Sequence, residues 1–428
     1  MKTPLIILFV FNSLLSFAAL NKPAHQVKAQ FINDYEKFAN SVSHLEQTAN
    51  HTVVNWDKNA TAFYEARIAF KRVEMIFSYL DPEFVKDHIN GAPLPHTERK
   101  APNLVIIEPS GFQTMEEALI EKNIASFQKL GEKLNHKTKE FQRYLPSMQL
   151  SERMVFESMR EELVRIAALG ITGFDAPSEI NALKESETAI ETLNKTIQFY
   201  HSYLSSSQIQ ETTMIFAKSS IYFANTDFVN FNRFGFIKDV INPLFKTLLR
   251  FQKKLNIETR DLTGSNAFST NYEAENLFET NFLNYRYYSK YSEAGIEDKR
   301  QALGKLLIYD PILSGNNERA CVSCHDPNMG FSDGQKTSIA YDKTNTLSRN
   351  SPTLLNAVYN TRFFWDARAS SPEDQIEHVL FNPDELNSNY AELIGKLNTS
   401  PTYVNQFKAA YPEYQNGRNE PISRYTIV

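Results

Sequence analysis

The segment Cys321-Val322-Ser323-Cys324-His325 constrains this chain more than any other feature. Its cysteines are the only 2 in 428 residues, and Cys-x-x-Cys-His is the attachment spacing of a c-type haem. Two thiols three positions apart can each bond one vinyl group of a porphyrin. The histidine that follows can then place a neutral imidazole nitrogen on the iron. The motif therefore predicts one haem c, bonded to Cys321 and Cys324, with His325 as the iron ligand.

The same residues could serve three purposes other than haem attachment. A zinc site needs further Cys or His ligands at metal-binding spacing, but no third cysteine exists and the nearest other histidine, His378, stands alone. A thioredoxin-like pair needs a surrounding βαβ pattern, and the sequence shows none. A disulfide between the two cysteines stays open, although it leaves His325 without a role.

Residues 1–19 have the pattern of a secretory signal peptide. Lys2 supplies the positive charge, an apolar run follows from Pro4 to Leu15, and small residues lie near a cleavage point. An uncleaved anchor is the alternative. We expect a periplasmic or otherwise exported protein, because bacteria attach c-type haem outside the cytoplasm. No other segment is apolar enough to cross a bilayer, so we expect no membrane span in the mature chain.

Charge and length limit the remaining function classes. The net charge of −5 and the pI near 6.1 argue against nucleic acid as a partner. A mature chain of about 400 residues predicts two or three domains. The hydrophobic content of 42% is enough for substantial cores.

Residues 20–270 predict an all-α helical bundle domain. Apolar residues recur there at spacings of three and four, and strand alternation is nearly absent. The periodicity predicts unbroken helices over Asn59–Leu80 and Phe112–Leu134. Another helix is predicted to begin with Asn242 as its N-cap and Pro243 as its first residue.

Two stretches of the bundle resemble the imelysin-like periplasmic helical domains. They are Gly-Phe-Gln-Thr-Met-Glu at 111–116 and Phe-Tyr-Glu-Ala-Arg at 63–67. That family carries Gly-x-His-x-x-Glu at the first place, and here Gln113 replaces the histidine. A metal role is therefore not carried over, and Glu116 is equally well read as a solvated or capping carboxylate.

Residues 271–295 are predicted to be a linker, and residues 296–428 a loop-rich, α-helical cytochrome c-type haem domain. A short helix is expected to end at Asp310-Pro311 and to lead through a loop to Cys321. Glycines and prolines follow the motif and predict an irregular crevice. The fold class is thus mainly α throughout.

Several ordered motifs of this second part resemble the bacterial di-haem cytochrome c peroxidase family, which includes related oxygenases that build tryptophylquinone. The matching segments are Leu-Gly-x-x-Leu-x-x-Asp-Pro-x-Leu-Ser at 303–314, the haem motif, Gly-Phe-Ser-Asp-Gly at 330–334, Arg-Asn-Ser-Pro-Thr at 349–353 and Phe-Trp-Asp-Ala-Arg-Ala at 364–369. With the tail to Val428, the resemblance covers about a third of the chain.

The resemblance implies roles for individual residues. Trp365 would lie between two haems and help electrons pass. Gln375 and Glu385 would be the active-site glutamine and glutamate, with Asp384 as a rival for the second role. Asn350 would supply an oxygen to a calcium ion.

The resemblance also implies partners and an activity. The substrate would be hydrogen peroxide, which is reduced to water. The electrons would come from a small cytochrome or cupredoxin, and the family allows a homodimer.

The sequence departs from the family pattern in two places. Resting peroxidases often carry a removable distal histidine before Arg-Asn-Ser-Pro-Thr, but residues 338–342 contain none. We expect no histidine displacement at this haem, with Tyr341 occupying or lining the pocket. The second haem motif is also missing. We therefore expect a fragment of a di-haem protein, with a second haem in the full-length chain; a true mono-haem protein is the alternative.

Two alternatives to a peroxidase remain open. A non-enzymatic electron carrier would close the iron with a strong sixth ligand. Met329 lies four residues after His325, too near to cross the ring easily. An oxygenase-like relative would instead oxidise a partner protein, and Tyr341 together with the missing histidine favours it slightly.

Overall fold

A computed structural model describes residues 22–97, 106–176, 178, 181–224, 226–260, 268–288, 296–415 and 420–428. The predicted signal peptide lies outside these residues. The chain divides into two compact units, one comprising residues 1–260 and 272–282, the other residues 261–271 and 283–428. Among the described residues, no helix combines the length and apolarity that crossing a membrane requires.

The N-terminal unit is built from helices joined mostly by short connections. They are α1 (Pro23–Ala49), α2 (Trp56–Lys71), α3 (Glu74–Leu80), α4 (Pro82–Phe84), α5 (Phe112–Ile120), α6 (Ile124–Gln142), α7 (Glu152–Arg165), α8 (Ala182–Gln198), α9 (Ser206–Phe223), α10 (Arg233–Phe236) and α11 (Asn242–Lys254). Single π-helical turns continue α4, α7 and α10 at Val85–Ile89, Ile166–Gly170 and Ile237–Ile241. Strands β1 (His96–Thr97) and β2 (Ile106–Ile107) form one short antiparallel pair.

Aromatic side chains fill the interior of this bundle, where α1 packs against α2 and α6. The rings of Tyr35 and Phe38 meet edge to face at 5.5 Å, and those of Phe77 and Phe141 lie 4.2 Å apart. The Tyr35 hydroxyl donates to the carbonyl of Thr138 at 3.0 Å, so its polar end is satisfied. The apolar periodicity of the sequence thus corresponds to a packed helical core.

Two of the predicted helices are interrupted, and one predicted cap is wrong. The segment predicted over Asn59–Leu80 breaks between α2 and α3. The one predicted from Phe112 breaks at Lys122, which has a φ of 54°, and Asn123 caps the next helix. Asn242 is the first residue of α11 rather than its N-cap, because the preceding π turn runs straight into the helix. Its side chain instead accepts from the amide of Leu277 at 3.3 Å.

Charged side chains form a continuous buried chain of ion pairs inside the bundle. Arg67 holds both carboxylate oxygens of Glu185, at 2.5 and 2.7 Å, and donates to the carbonyl of Asp175 at 2.7 Å. Lys71 pairs with the Asp175 carboxylate and donates a hydrogen bond to Glu74 at 2.7 Å. These side chains are at most 5% exposed. Such pairs persist in a low-dielectric interior only when every partner is present.

The two stretches of imelysin-like resemblance meet at one end of this chain of charges. Glu116 lies 3.9 Å from the Arg67 guanidinium and accepts from the Ser178 hydroxyl. Gly111 has a φ of 91°, and a side chain there would overlap the carbonyl oxygen of Ile89. The glycine and the glutamate therefore both have packing roles, and Gln113 donates to the carbonyl of Asn90 at 3.3 Å.

The buried carboxyl of Glu74 should make the stability of the helical bundle depend on pH. Burial raises its pKa from 4.5 to about 8, against the opposing attraction of Lys71; Asp175 and Glu162 raise it further and Arg165 lowers it. Because the folded state holds this proton more tightly than the unfolded state, stability falls as pH rises from about 5 to about 8, with a slope of up to about 1.4 kcal/mol per pH unit.

Urea unfolding of the protein across this range measures the slope. The Glu74→Gln variant is the control, since it cannot ionise, and we expect a flatter profile from it. Equal slopes for the two proteins would contradict the assignment to Glu74.

The C-terminal unit combines helices with long irregular loops. The helices are α12 (Tyr285–Tyr288), α13 (Glu297–Tyr309), α14 (Pro372–Phe381), α15 (Tyr390–Asn398), α16 (Pro401–Ala410) and α17 (Arg424–Ile427), with 3-10 turns at Pro311–Leu313, Cys321–Ser323, Pro327–Met329, Ala357–Tyr359 and Pro412–Gln415. Leucines from α13, α14 and α15 make its core together with Phe407. Helix α13 ends at Tyr309, as predicted, and Asp310 caps the next turn. The fold is mainly α, which confirms the prediction.

Candidate haem site

A single tight turn places the two thiols and the imidazole together. The amides of Cys324 and His325 both donate to the carbonyl of Cys321, at 3.1 and 3.0 Å. The Ser323 hydroxyl accepts from the amide of Ala320 at 3.1 Å, which closes the turn. Both cysteines are free thiols and half-buried. Burial raises the pKa of the Cys321 thiol to about 11.

The loop after the turn fixes the imidazole. Nδ1 of His325 lies 3.1 Å from the carbonyl oxygen of Phe331. A carbonyl can only accept, so Nδ1 carries the proton and Nε2 is left as the free ligand atom. The loop is closed by the Phe331 amide on the Asp326 carbonyl at 2.8 Å. Gly330 and Phe331 are both left-handed, with φ of 65° and 59°, which explains a glycine at the first position.

These groups fit a covalently attached haem. Two thiols on one turn match the two vinyl groups, and a histidine with its Nδ1 held by a carbonyl presents Nε2 to iron. Cys321 and Cys324 would hold the porphyrin, and His325 would bind the metal. The described residues contain no group of three or more His, Cys, Asp and Glu suited to a metal ion.

A second loop, at 382–387, positions Glu385. The amide of Glu385 donates to the carbonyl of Asn382 at 3.0 Å, and the Asn382 side-chain amide donates to Oε1 of Glu385 at 2.8 Å. The carboxylate is half-buried, whereas that of the rival Asp384 is exposed. The loop thus selects one of its two acids for a sheltered position.

Electrostatics connects Glu385 with the attachment histidine. Burial raises the pKa of the Glu385 carboxyl above its ordinary value, while the hydrogen bond from Asn382 and the charges of Arg319, Arg368 and His325 act in the opposite direction. A partly buried carboxyl with a raised pKa can both accept and return a proton.

Tyr341 lies against the Glu385 loop. Its amide donates to the carbonyl of Asp384 at 2.7 Å, and the side chain is half-buried. Gly315 lies beside it and donates its amide to the carbonyl of Leu386 at 2.9 Å. The strand-like segment at 338–341 and the loop at 382–387 are therefore one packed assembly.

Substitution of Gly315 tests whether these two segments pack as closely as described. A Cβ at Gly315 would overlap the carbonyl oxygen of Asn387 and would lie 3.2 Å from the Tyr341 hydroxyl. Backbone cannot yield cheaply, so we expect Gly315→Ala to destabilise the C-terminal unit by about 1–3 kcal/mol. Gly304→Ala in α13 is the matched control, because nothing lies within 4 Å of its added methyl. Thermal unfolding should show the loss only for Gly315→Ala, and equal melting of the two variants would contradict it.

The remaining predicted site residues lie elsewhere in this unit. Gln375 is half-buried on α14, the helix that leads into the Glu385 loop. Trp365 is 84% exposed, with the Arg349 guanidinium 5.7 Å from its ring centre. Asn350 is exposed in a loop. Met329 is 55% exposed.

Sequence reasoning overlooked Arg319. Its Nη2 donates to the carbonyl of Ile339, and its Nη1 is buried with no hydrogen-bond partner among the described residues. Nothing in the local sequence distinguishes this arginine from a solvated one. Only the fold lets its charge act on the pKa of Glu385.

The turn, the tethered imidazole and the sheltered carboxyl define a unit of the c-type haem class. Comparison with known proteins shows which family of c-type haem proteins this unit resembles. The family model of the di-haem cytochrome c peroxidases matches residues 298–427, which confirms the predicted resemblance.

Three curated relatives illustrate the match. The methylamine utilization protein MauG of Methylorubrum extorquens is 36% identical over 124 residues, which are 29% of this chain and 33% of that protein. The cytochrome c peroxidase Ccp of Escherichia coli is 38% identical over 122 residues, 28% of this chain and 26% of that protein. The cytochrome c551 peroxidase of Pseudomonas aeruginosa is 35% identical over 118 residues, which are 28% of this chain and 34% of that protein. The chain thus spans about a third or less of the length of these relatives.

Proposed function

We propose that this chain is an exported c-type haem peroxidase that reduces hydrogen peroxide to water with electrons from a small redox donor. One observation carries the proposal: the carboxyl of Glu385 is half-buried and is oriented by the Asn382 side-chain amide at 2.8 Å, in the same compact unit as the haem-attachment turn. The peroxidase names of two of the relatives support it.

The reaction needs a group that moves protons between the two oxygens of peroxide. Reduction of one H2O2 to two H2O consumes two protons and two electrons. Bound haem would supply an iron that binds peroxide and exchanges electrons with it. Ionised Glu385 would take the proton from the oxygen to be bound and return it to the far oxygen, so that water leaves. The Asn382 amide keeps this carboxylate oriented.

Further roles follow from the family resemblance. Gln375 would help orient the substrate, Tyr341 would line the pocket, and Trp365 would pass electrons. Asn350 would contribute an oxygen to calcium, and a second haem in the full-length protein would receive the donor's electrons. The donor would be a small cytochrome or cupredoxin, and a periplasmic homodimer would be the assembly.

Expression in a host that attaches c-type haem tests the proposal. We expect a coloured protein that keeps its haem after acid–acetone extraction and whose spectrum changes on addition of peroxide. The double variant Cys321→Ser, Cys324→Ser should be colourless after the same treatment. A colourless wild-type protein with two thiols free to alkylate would refute the haem site.

Ligand binding distinguishes peroxidase from electron carrier. An iron with an accessible sixth position binds carbon monoxide or cyanide, whereas an iron closed by Met or His refuses both. Because residues 338–342 contain no histidine, we expect both ligands to bind. A resting ferric spectrum with two nitrogen ligands on this iron would contradict that expectation.

Oxidation of a partner protein is the second candidate, and the missing histidine and Tyr341 favour it. Product analysis with peroxide alone, and with peroxide plus candidate partner proteins, separates the two. A modified partner would support the oxygenase-like activity.

A further inference from the structure

Lys396, in the last turn of helix α15, directs its ammonium group towards the protein rather than into solvent. Its Nζ donates to the carbonyl of Ser314 at 2.8 Å and to that of Gly315 at 3.1 Å. It also pairs with Oε1 of Glu392, one turn earlier on the same helix, at 2.6 Å. An ammonium group has three N–H donors, so this one has an acceptor for each of them. Lysines usually keep their charge in solvent, but this side chain is only 20% exposed.

The dipeptide Ser314-Gly315, to which this ammonium group is bonded, leads towards the haem-attachment turn. Ser314 is fully buried. Its hydroxyl oxygen accepts from the amides of Glu318 and Arg319, both at 3.2 Å. These two residues lie three and two positions before Cys321. The backbone that enters the attachment turn is therefore anchored on Ser314.

The same dipeptide contacts the loop at 382–387, which carries Glu385. The amide of Gly315 donates to the carbonyl of Leu386 at 2.9 Å, and Leu386 is a buried residue directly after Glu385. The contact is close, because even a Cβ on Gly315 would overlap the carbonyl oxygen of Asn387. Ser314-Gly315 is thus bonded to the haem-attachment segment on one side and to the loop of the acid on the other.

We infer that Lys396 is a positioning residue, which holds Ser314-Gly315 and thereby fixes the Glu385 loop relative to the haem-attachment turn. The inference deepens the proposed function and rests on it. Hydrogen bonds from a charged donor are stronger than those between neutral groups, so the ammonium group is well suited to hold two carbonyls. Its loss frees the loop to shift, and a displacement of about 1 Å in a reacting group can cost about 10²-fold in rate.

Hydrogen exchange tests the two carbonyl contacts independently of catalysis. In the haem-loaded protein, we expect Lys396→Met to speed exchange of the Gly315 amide by about tenfold, because that amide exchanges when its contact with Leu386 opens locally. Glu392→Gln is the matched control. It removes the charge of the third partner but leaves both carbonyl contacts, so the Gly315 amide should stay protected. Unchanged exchange of this amide in Lys396→Met would overturn the inference.

A double-mutant cycle tests the link to Glu385. We expect Lys396→Met to slow the reaction of the haem-loaded protein with peroxide by about 10–10²-fold, and Lys396→Arg, which keeps a donating cation, to slow it far less. In the Glu385→Gln background, Lys396→Met should cost less than about twofold, since the carboxylate to be positioned is gone. Additive losses, or a lowered melting temperature with an unchanged rate per bound haem, would show a merely structural role and overturn the inference.

Lys396→Gln serves the same two measurements if Lys396→Met does not fold, because its shorter, uncharged side chain cannot span both carbonyls. Wild-type exchange and a wild-type rate in Lys396→Gln would then overturn the inference. Full peroxide reactivity in Glu385→Gln would instead overturn the proposed function. The exchange of the Gly315 amide would still decide whether Lys396 holds the dipeptide.

Discussion

Replacing Glu385 by Gln should slow the reaction of the haem-loaded protein with peroxide by about 10²–10⁴-fold, the usual contribution of a positioned general acid–base. The amide keeps the shape of the side chain and its hydrogen-bonding partner Asn382, which donates at 2.8 Å in the wild-type protein, but it cannot take up a proton. Stopped-flow recording of the peroxide-dependent spectral change measures this rate without an electron donor. Haem content and melting temperature should stay near those of the wild type.

Asp384→Asn is the matched control for this experiment. The two acids are adjacent, but the Asp384 carboxylate is exposed and Glu385 is half-buried. We expect a rate within about twofold of the wild type for Asp384→Asn, because solvated surface charges contribute little. A large loss with Asp384→Asn and none with Glu385→Gln would exchange the two roles.

The rate of the wild-type reaction with peroxide should depend on pH in a defined direction. Because burial raises the pKa of Glu385, the ionised form that accepts the peroxide proton grows in as pH rises through that raised value. The rate should therefore increase with pH on the acid side, and the limb should vanish in Glu385→Gln.

Arg67→Met should destabilise the N-terminal bundle by about 3–5 kcal/mol, the cost of leaving buried carboxylates without their partner. Arg67 is 1% exposed and satisfies both oxygens of Glu185 as well as the carbonyl of Asp175. The loss of its charge leaves at least one buried carboxylate without a positively charged partner. Urea unfolding followed by circular dichroism measures the effect.

The double variant Arg67→Met, Glu185→Leu gives this prediction its control. Removing both partners takes away the unpaired charge, so the double variant should be more stable than Arg67→Met alone. A double variant that is destabilised by the sum of the two single changes would show that the pair contributes no coupling. The surface pair of Lys184 and Glu187, at 2.8 Å, should cost less than about 1 kcal/mol when broken.

Part of the local structure around the C-terminal site follows from its residues. The Cys-x-x-Cys-His spacing predicted that the two thiols and the imidazole act on one haem, and the structure carries all three on one turn that begins at Cys321. The glycine of Gly-Phe-Ser-Asp-Gly predicted an irregular loop, and Gly330 is left-handed. Local chemistry suffices where the constraint lies within a few residues. The roles of Trp365, Gln375 and Asn350 remain predictions.

What the sequence did not reveal depends on contacts between distant residues. Arg67, Lys71 and Glu74 read as ordinary polar positions of amphipathic helices, yet all three are buried because their partners arrive from α8 and from the segment around Asp175. Arg319 and Ile339 are 20 residues apart. The break at Lys122 was missed because a lysine in the left-handed region carries no local signature.

The acceptor for the attachment histidine is the main-chain oxygen of Phe331, and this has a consequence for variation in the protein. No change of side chain can delete that oxygen. Homologous loops can therefore exchange nearly every side chain and still orient the imidazole, provided that they trace the same path. Insertions or deletions between Asp326 and Ser332, which pair across the base of the loop, would be the changes that such a lineage could not tolerate.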